Sequence, residues 1–417
     1  MELEALRAYG ELAVKVGLNL QPGQRLLIIG PLASGGVSLE AAPLVRCLAA
    51  SAYEAGAALV ETVWGAEALQ LARFSHAPRD SFGEVSAWLP KALAEHAESG
   101  HAVISVYAND PDLLKDASPD LISTVQQATS RRAQPFRELI SRNHTNWSVI
   151  AAAGDGWASK VFAHLPAVQR LPRLWDAIGR FCRLDHADPV AAWESHLAAL
   201  NARSEFLTRR QYSALKYRGP GTDLTIGFPE GHVWVSGRST SRSGITFTAN
   251  LPTEEVFTMP HKDRVEGTVT SSKPLSYGGT MIEDFRLRFA AGRVVELSAA
   301  RGEDVLRQLV GTDDGAARLG EVALVPYSSP ISRSGLLFYN TLFDENAASH
   351  VALGTAYKFT LDGGENMSSE QFEASGGNRS AVHVDFMIGS SQLDIDGVRQ
   401  DGSTEPLMRS GEWAARL

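Results

Sequence analysis

Apolar residues recur at helical spacing over residues 3–16, and Gly17-Leu18-Asn19 reads as the end of that helix. A Gln21-Pro22-Gly23-Gln24 turn leads into Arg25-Leu26-Leu27-Ile28-Ile29, an apolar run expected as a strand. Residues 38–55 are helical in pattern, with Gly56 as their stop. Three further apolar runs, 57–64, 102–107 and 147–152, are also expected strands. Continuous apolar runs between helical segments predict a mainly parallel sheet covered on both faces.

The pattern changes near residue 208. A long helical stretch over 189–206 ends at Thr208-Arg209-Arg210, and glycine-punctuated alternating segments follow. Residues 222–226 and 232–235 are expected strands, and 285–289 with 294–297 a hairpin around Ala291-Gly292-Arg293. Helices are expected again at 303–310 and 345–353. The predicted class is therefore α/β in two domains. Residues 1–208 form an N-terminal α/β domain with a mainly parallel sheet, and residues 209–417 a mixed α/β domain.

Composition adds exclusions. A chain of 417 residues exceeds what one core usually organises, in keeping with two domains. Hydrophobic residues at 44% and charged residues at 21% exclude a disordered chain. A net charge of -9 argues against a general nucleic-acid binder. No apolar run approaches the roughly 18 residues that span a bilayer. Met1-Glu2-Leu3-Glu4 carries acids where a secretion signal needs bases, so a cytoplasmic location is expected. Cys47 and Cys182 lie far apart, which excludes a disulfide scaffold and a cysteine-built zinc knuckle. Ser34-Gly35-Gly36 follows a strand as a phosphate turn would, without the rest of any such fingerprint. Gly-x-Ser-x-Gly, the Walker loop and His-Glu-x-x-His are absent.

Four segments of the second half hold metal-competent side chains. Glu254 and Glu255 lie between Pro252 and Pro260, and in an extended chain only one of them faces a given pocket. Glu321 opens an apolar strand-like run. Glu345 and His350 are separated by small residues, which let the backbone approach whatever they bind; a structural histidine is the plainer alternative. His383 and Asp385 are two apart between Val382, Val384 and Phe386, so on a strand they share a face opposite the apolar one. Such a pair is costly on a buried strand unless hydrogen-bonded together or metal-bound. Carboxylates and imidazoles without thiols suit zinc, cobalt, manganese or iron(II), and the excess of carboxylate suits two metals sharing an acid.

These segments, in this order, resemble the M29 family of metallo-aminopeptidases. The likeness runs from Tyr9-Gly10-Glu11-Leu12-Ala13 and Gln21-Pro22-Gly23-Gln24 through Asp188-Pro189-Val190-Ala191-Ala192-Trp193 with His196. It continues in Asn250-Leu251-Pro252-Thr253-Glu254-Glu255-Val256-Phe257-Thr258 and Pro260-His261-Lys262-Asp263-Arg264-Val265. It closes on Gly377-Asn378-Arg379-Ser380-Ala381-Val382-His383-Val384-Asp385-Phe386-Met387-Ile388-Gly389-Ser390. The resemblance implies a homodimeric two-domain enzyme that removes N-terminal residues from short peptides, using two divalent ions (zinc, cobalt or manganese) and a bridging hydroxide. It implies Glu255, Glu321, Glu345, His350, His383 and Asp385 as metal ligands, with Glu321 bridging. It implies Glu321 or Glu345 as proton carrier and Tyr357 as oxyanion donor. His261 and Asp263 are expected to brace the loop after the first ligand. Relatives on this scaffold also resemble iron(II) ring-cleaving dioxygenases, so an oxidoreductase using His350, His383 and Asp385 is the alternative. A binding protein without turnover is a third class, and the intact ligand set speaks against it.

Overall fold

A computed structural model describes residues 1–32, 35–277 and 280–414. Ser34 of the Ser34-Gly35-Gly36 turn lies outside the described residues. Strands β1 (Arg25–Ile29), β2 (Leu59–Thr62), β3 (Ala102–Tyr107) and β4 (Trp147–Ala151) form a four-stranded sheet in the order β2-β1-β3-β4. Every pairing in it is parallel, as the apolar runs predict. Leu26, Ile28, Ala102, Ile104 and Ile150 are fully or almost fully buried in it. β2 departs from that pattern because it is an edge strand, and it alternates exposed and half-buried positions.

In the second half, antiparallel pairing replaces parallel. The strands are β5 (Ala214–Gly219), β6 (Thr222–Gly227), β7 (Val256–Thr258), β8 (Val265–Thr270), β9 (Arg286–Ala290) and β10 (Arg293–Ser298). They continue as β11 (Leu319–Leu324), β12 (His350–Gly354), β13 (His383–Met387), β14 (Asp394–Val398), β15 (Thr404–Arg409) and β16 (Glu412–Trp413). Eight of them make one sheet, β10-β9-β8-β6-β5-β14-β15-β16, and four make another, β7-β11-β12-β13. One core holds both sheets together. It draws Leu215, Leu224, Ile226, Leu287 and Ile395 from the larger, and Val256, Val322, Leu324, Val351, Leu353 and Phe386 from the smaller. Leu306 and Leu309 of the helix Glu303–Val310 join it.

The chain forms two compact units, residues 1–196 with 238–253 and residues 197–237 with 254–417. The break falls inside the helix Pro189–Arg210, and one short segment returns to the first unit. That segment carries the antiparallel pair Arg238–Thr240 and Thr246–Thr248, and its Thr248 carbonyl accepts from the Ser148 hydroxyl at 2.9 Å.

Two expected elements differ. Residues 345–353 do not form a helix: a single turn, Glu345–Ala347, leads into strand β12. The physical reason is period two. Val351 and Leu353 enter the core while His350, Ala352 and Gly354 face the other way, and ladders to β11 and β13 satisfy the backbone. Residues 232–235 likewise make isolated bridges, His232 to Leu361 and Val235 to Phe257, in place of a strand.

Candidate metal centre

The four-stranded sheet turns one face to the core, and its other face collects the chemistry. Antiparallel register puts Glu321 opposite Ala352 and Ala352 opposite Asp385, so the two acids flank a methyl group. His350 lies opposite Ala323 on one side and Met387 on the other, and His383 lies opposite Gly354. Ala323, Ala352 and Gly354 thus make a low floor under long polar side chains. Gly354 has φ +111°, and a Cβ there would meet the Val382 carbonyl oxygen at 2.0 Å, so only glycine fits. Glu255 immediately precedes β7. It is two residues from Phe257, so the two share the site face, and Val256 between them enters the core.

Among the described residues, two groups have ligand atoms close enough to hold a metal ion: Glu255, Glu321 and His350, and Glu321, His383 and Asp385. Glu321 belongs to both. His350 Nε2 stands 3.2 Å from Glu255 Oε2 and 3.6 Å from Glu321 Oε1. His383 Nε2 stands 3.6 Å from Glu321 Oε2 and 3.5 Å from Asp385 Oδ1. Each carboxylate oxygen of Glu321 therefore faces a different imidazole.

The far nitrogen of each ring settles how the rings present themselves. His350 Nδ1 lies 3.0 Å from the Ala348 carbonyl oxygen, and His383 Nδ1 lies 2.8 Å from that of Thr355. A carbonyl only accepts, so each Nδ1–H is the donor, and each Nε2 of the neutral ring keeps a lone pair aimed at the carboxylates. With the rings neutral, as a metal ligand must be, two buried oxygens of the cluster, Glu255 Oε2 and Asp385 Oδ1, have no hydrogen-bond donor. Unpaired buried carboxylate oxygens are costly, and a cation is the partner that removes the cost. The donor set therefore fits divalent ions.

Electrostatics agree. Burial pushes the Glu321 carboxyl above its ordinary range; Asp385 and Glu255 add to the push, while His350 and His383 oppose it. Glu345 is lifted well above its usual value by burial and then by the charges of Glu255 and Asp385. Burial disfavours charge on His383, yet Asp385 and Glu321 outweigh it and raise the ring to about 10. At His350 burial is likewise outweighed by Glu255 and Glu321, which hold the ring well above its ordinary value. Burial opposes ionisation of Asp385, but His383 and His350 hold it below the usual carboxylate range.

Glu345 is half-buried in the turn before β12 and stands outside both groups, although it senses Glu255, Asp385 and His350. Tyr357 follows β12, and its ring lies 4.9 Å from that of His383. Burial and then the charges of Glu321, Asp385, Glu345 and Glu255 keep its phenol protonated. Glu254 is buried, joins neither group and acts on Arg203 instead. His261 and Asp263 brace the main chain: Asp263 N–H donates to His261 Nδ1 at 3.2 Å, and Arg318 donates to Asp263 at 2.8 Å.

Two positioning residues escaped the sequence reading. Asn346 is fully buried; its side-chain oxygen accepts the Glu254 N–H at 2.7 Å and its amide donates to the Leu342 carbonyl at 3.0 Å. Asn378 is also buried and donates to the Gly315 and Gly354 carbonyls at 2.8 and 2.6 Å. Asn378 lies inside a motif already singled out, but nothing local marks either residue's role, because the Glu254 amide that Asn346 accepts from and both carbonyls that Asn378 donates to lie in distant segments.

Residues 3–413 match the sequence pattern of the family described as thermophilic metalloprotease (M29). The chain belongs to the M29 metallopeptidase family. Its M29 relatives include aminopeptidase 2 of Geobacillus stearothermophilus, 49% identical over 99% of this chain and 98% of that one. Aminopeptidase T of Thermus thermophilus is 45% identical over 98% of both chains. Aminopeptidase AmpS of Bacillus subtilis is 44% identical over 99% of this chain and 98% of the other. The solved structure of wild-type AmpT from Thermus thermophilus superposes with a TM-score of 0.91, at 44% identity and 99% coverage of both chains. The mixed α/β class read from the sequence is that of this M29 structure. Nothing among these relatives supports the ring-cleaving dioxygenase. No helix among the described residues is long and apolar enough to cross a membrane.

Proposed function

We propose that the chain is a dinuclear metal-dependent aminopeptidase that releases residues from the free amino ends of short peptides. The observation that carries this reading is Glu321, whose two oxygens face separate imidazoles in two three-residue groups. Glu255 and His350 would hold one ion, His383 and Asp385 the other, with Glu321 shared and Glu345 adjoining. When bound, such a pair polarises a carbonyl and acidifies a water, which is the chemistry amide hydrolysis requires. Imidazole and carboxylate donors without thiols suit zinc, cobalt or manganese.

The chain's own groups supply the rest. Glu345 and Glu321 take up a proton more readily than ordinary carboxylates, so either can carry it from water to the leaving amine. Tyr357 stays a neutral phenol and donates a hydrogen bond to the carbonyl oxygen as negative charge develops there. The M29 relatives, named as aminopeptidases, support the same reaction class. We further propose a homodimer working in the cytoplasm, where the buried cysteines Cys47 and Cys182, not joined in a disulfide, suit a reducing medium.

Metal counting on the purified chain, together with release of leucine from a dipeptide, tests the proposal. Two ions per chain with leucine release is the expected result. One iron per chain with oxygen uptake would overturn it. Light scattering reads the oligomeric state alongside.

A further inference from the structure

One side of the polar cluster is an aromatic wall. Tyr357, whose ring lies 4.9 Å from that of His383, stacks on Phe359 at 5.2 Å and 15°. Phe359 in turn meets Phe257 edge-on at 6.2 Å and 80°. Phe257 sits on the site face of β7 opposite Ala323, whose methyl cannot cover it. The rings therefore run without a break from one candidate ligand, His383, to the strand that follows another, Glu255.

These rings are not core. Phe228, Phe285, Phe289, Phe338 and Phe343 are essentially completely buried in the same unit. Phe257 and Phe359 remain half-buried, and Tyr357 is 36% exposed. Apolar area left open beside a metal-competent cluster marks a place for an apolar ligand group. The neighbouring cation does not alter its character: Lys358 Nζ donates to the Met367 carbonyl at 2.6 Å and lies over Phe372.

We propose that Phe257, Phe359 and the ring face of Tyr357 form the subsite for the first side chain of the substrate, selecting apolar side chains of leucine or phenylalanine size. This rests on the aminopeptidase reading above. A free amine anchored at the metal-competent cluster leaves its own side chain as the group nearest the wall. A leucine side chain there covers ring area that alanine cannot reach, whereas lysine or glutamate would be stripped of water along its stem.

The experiment compares the metal-loaded chain with Phe359→Ala and Phe359→Leu. Dipeptides beginning with leucine, phenylalanine, alanine or lysine give kcat/KM, and calorimetry gives binding of free leucine against free alanine. The unaltered chain should favour leucine and phenylalanine over alanine and lysine by about tenfold or more. Phe359→Ala should reduce the leucine-to-alanine ratio by roughly tenfold, while metal content stays nearly unchanged. Phe359→Leu, which keeps an apolar side chain, should retain most of the ratio. Equal losses on leucine and alanine peptides, an unchanged ratio, or a preference for lysine would overturn the wall. Absence of release from every peptide would count against the aminopeptidase reading itself. The leucine-to-alanine binding ratio then still decides the wall, which stands only if leucine binds more tightly and Phe359→Ala removes the difference.

Discussion

The two faces of the sheet β7-β11-β12-β13 come from the same strands and have opposite chemistry. One presents Val322, Leu324, Val351, Leu353 and Phe386 to a dry core. The other presents Glu321, His350, His383 and Asp385, flanked by Glu255. Neighbouring residues on one strand therefore answer to different rules. On the core face the governing quantity is volume, since close packing penalises any gap. On the other face it is charge, since carboxylates out of water need partners. A one-residue slip in register would exchange the faces, so the core fixes the cluster by holding the strands in phase.

The sharpest way to break the comparison is Glu321→Gln, which keeps the shape and removes the charge that both groups share. Amino-acid release should fall to background and metal content should drop below two per chain. Thermal unfolding of the metal-free chain should not worsen, because a buried like charge has gone. Undiminished release would sink the shared role. Next is Tyr357→Phe, expected to cost about 10²–10³-fold in kcat with metal retained. A defect confined to KM would remove the phenol from the chemistry. On the opposite face, Leu353→Ala should lower stability by about 2–5 kcal/mol in denaturant titration. Its metal content and its kcat well below the melting point should match those of the unaltered chain. If metal is lost while the fold stands, the two faces are not independent.

The smallest effect is a proton count. Both rings have raised pKa values in the metal-free chain, and His383, at about 10, carries a proton at pH 7. Binding a metal needs the neutral ring, so loading should release protons at pH 7, with His383 giving up one. The release should fade as pH rises through 10, and metal affinity should weaken as pH falls. Calorimetry in buffers of different ionisation enthalpy reads this number, and a release near zero at pH 7 would mean the rings are already neutral.

Much of this sheet was legible beforehand because its signals are local. His383 and Asp385 sit two apart between Val384 and Phe386, and that alternation alone assigns their face. Glu321 opens an apolar run, and it does begin near the start of β11. β12 was misread because Ala347-Ala348-Ser349 tolerates a helix, and the pairings that make residues 350–354 a strand come from β11 and β13, distant in sequence. Asn346 and Asn378 were invisible for the same reason, since asparagine shows its purpose only when its partners are in place. The return of residues 238–253 to the first unit has no local mark either, because it rests on contacts such as that of Ser148 with Thr248.

The partners that orient the two imidazoles, the carbonyls of Ala348 and Thr355, belong to the main chain. No codon change can delete a carbonyl oxygen. Many sites hold a histidine ring by a neighbouring carboxylate, which a single substitution removes. Here ring orientation is inherited with the backbone path itself. Drift at positions 348 and 355 can change what the side chains are without turning either ring. The lineage can lose this site by losing a histidine or a carboxylate, but the aim of its rings is sheltered from point mutation.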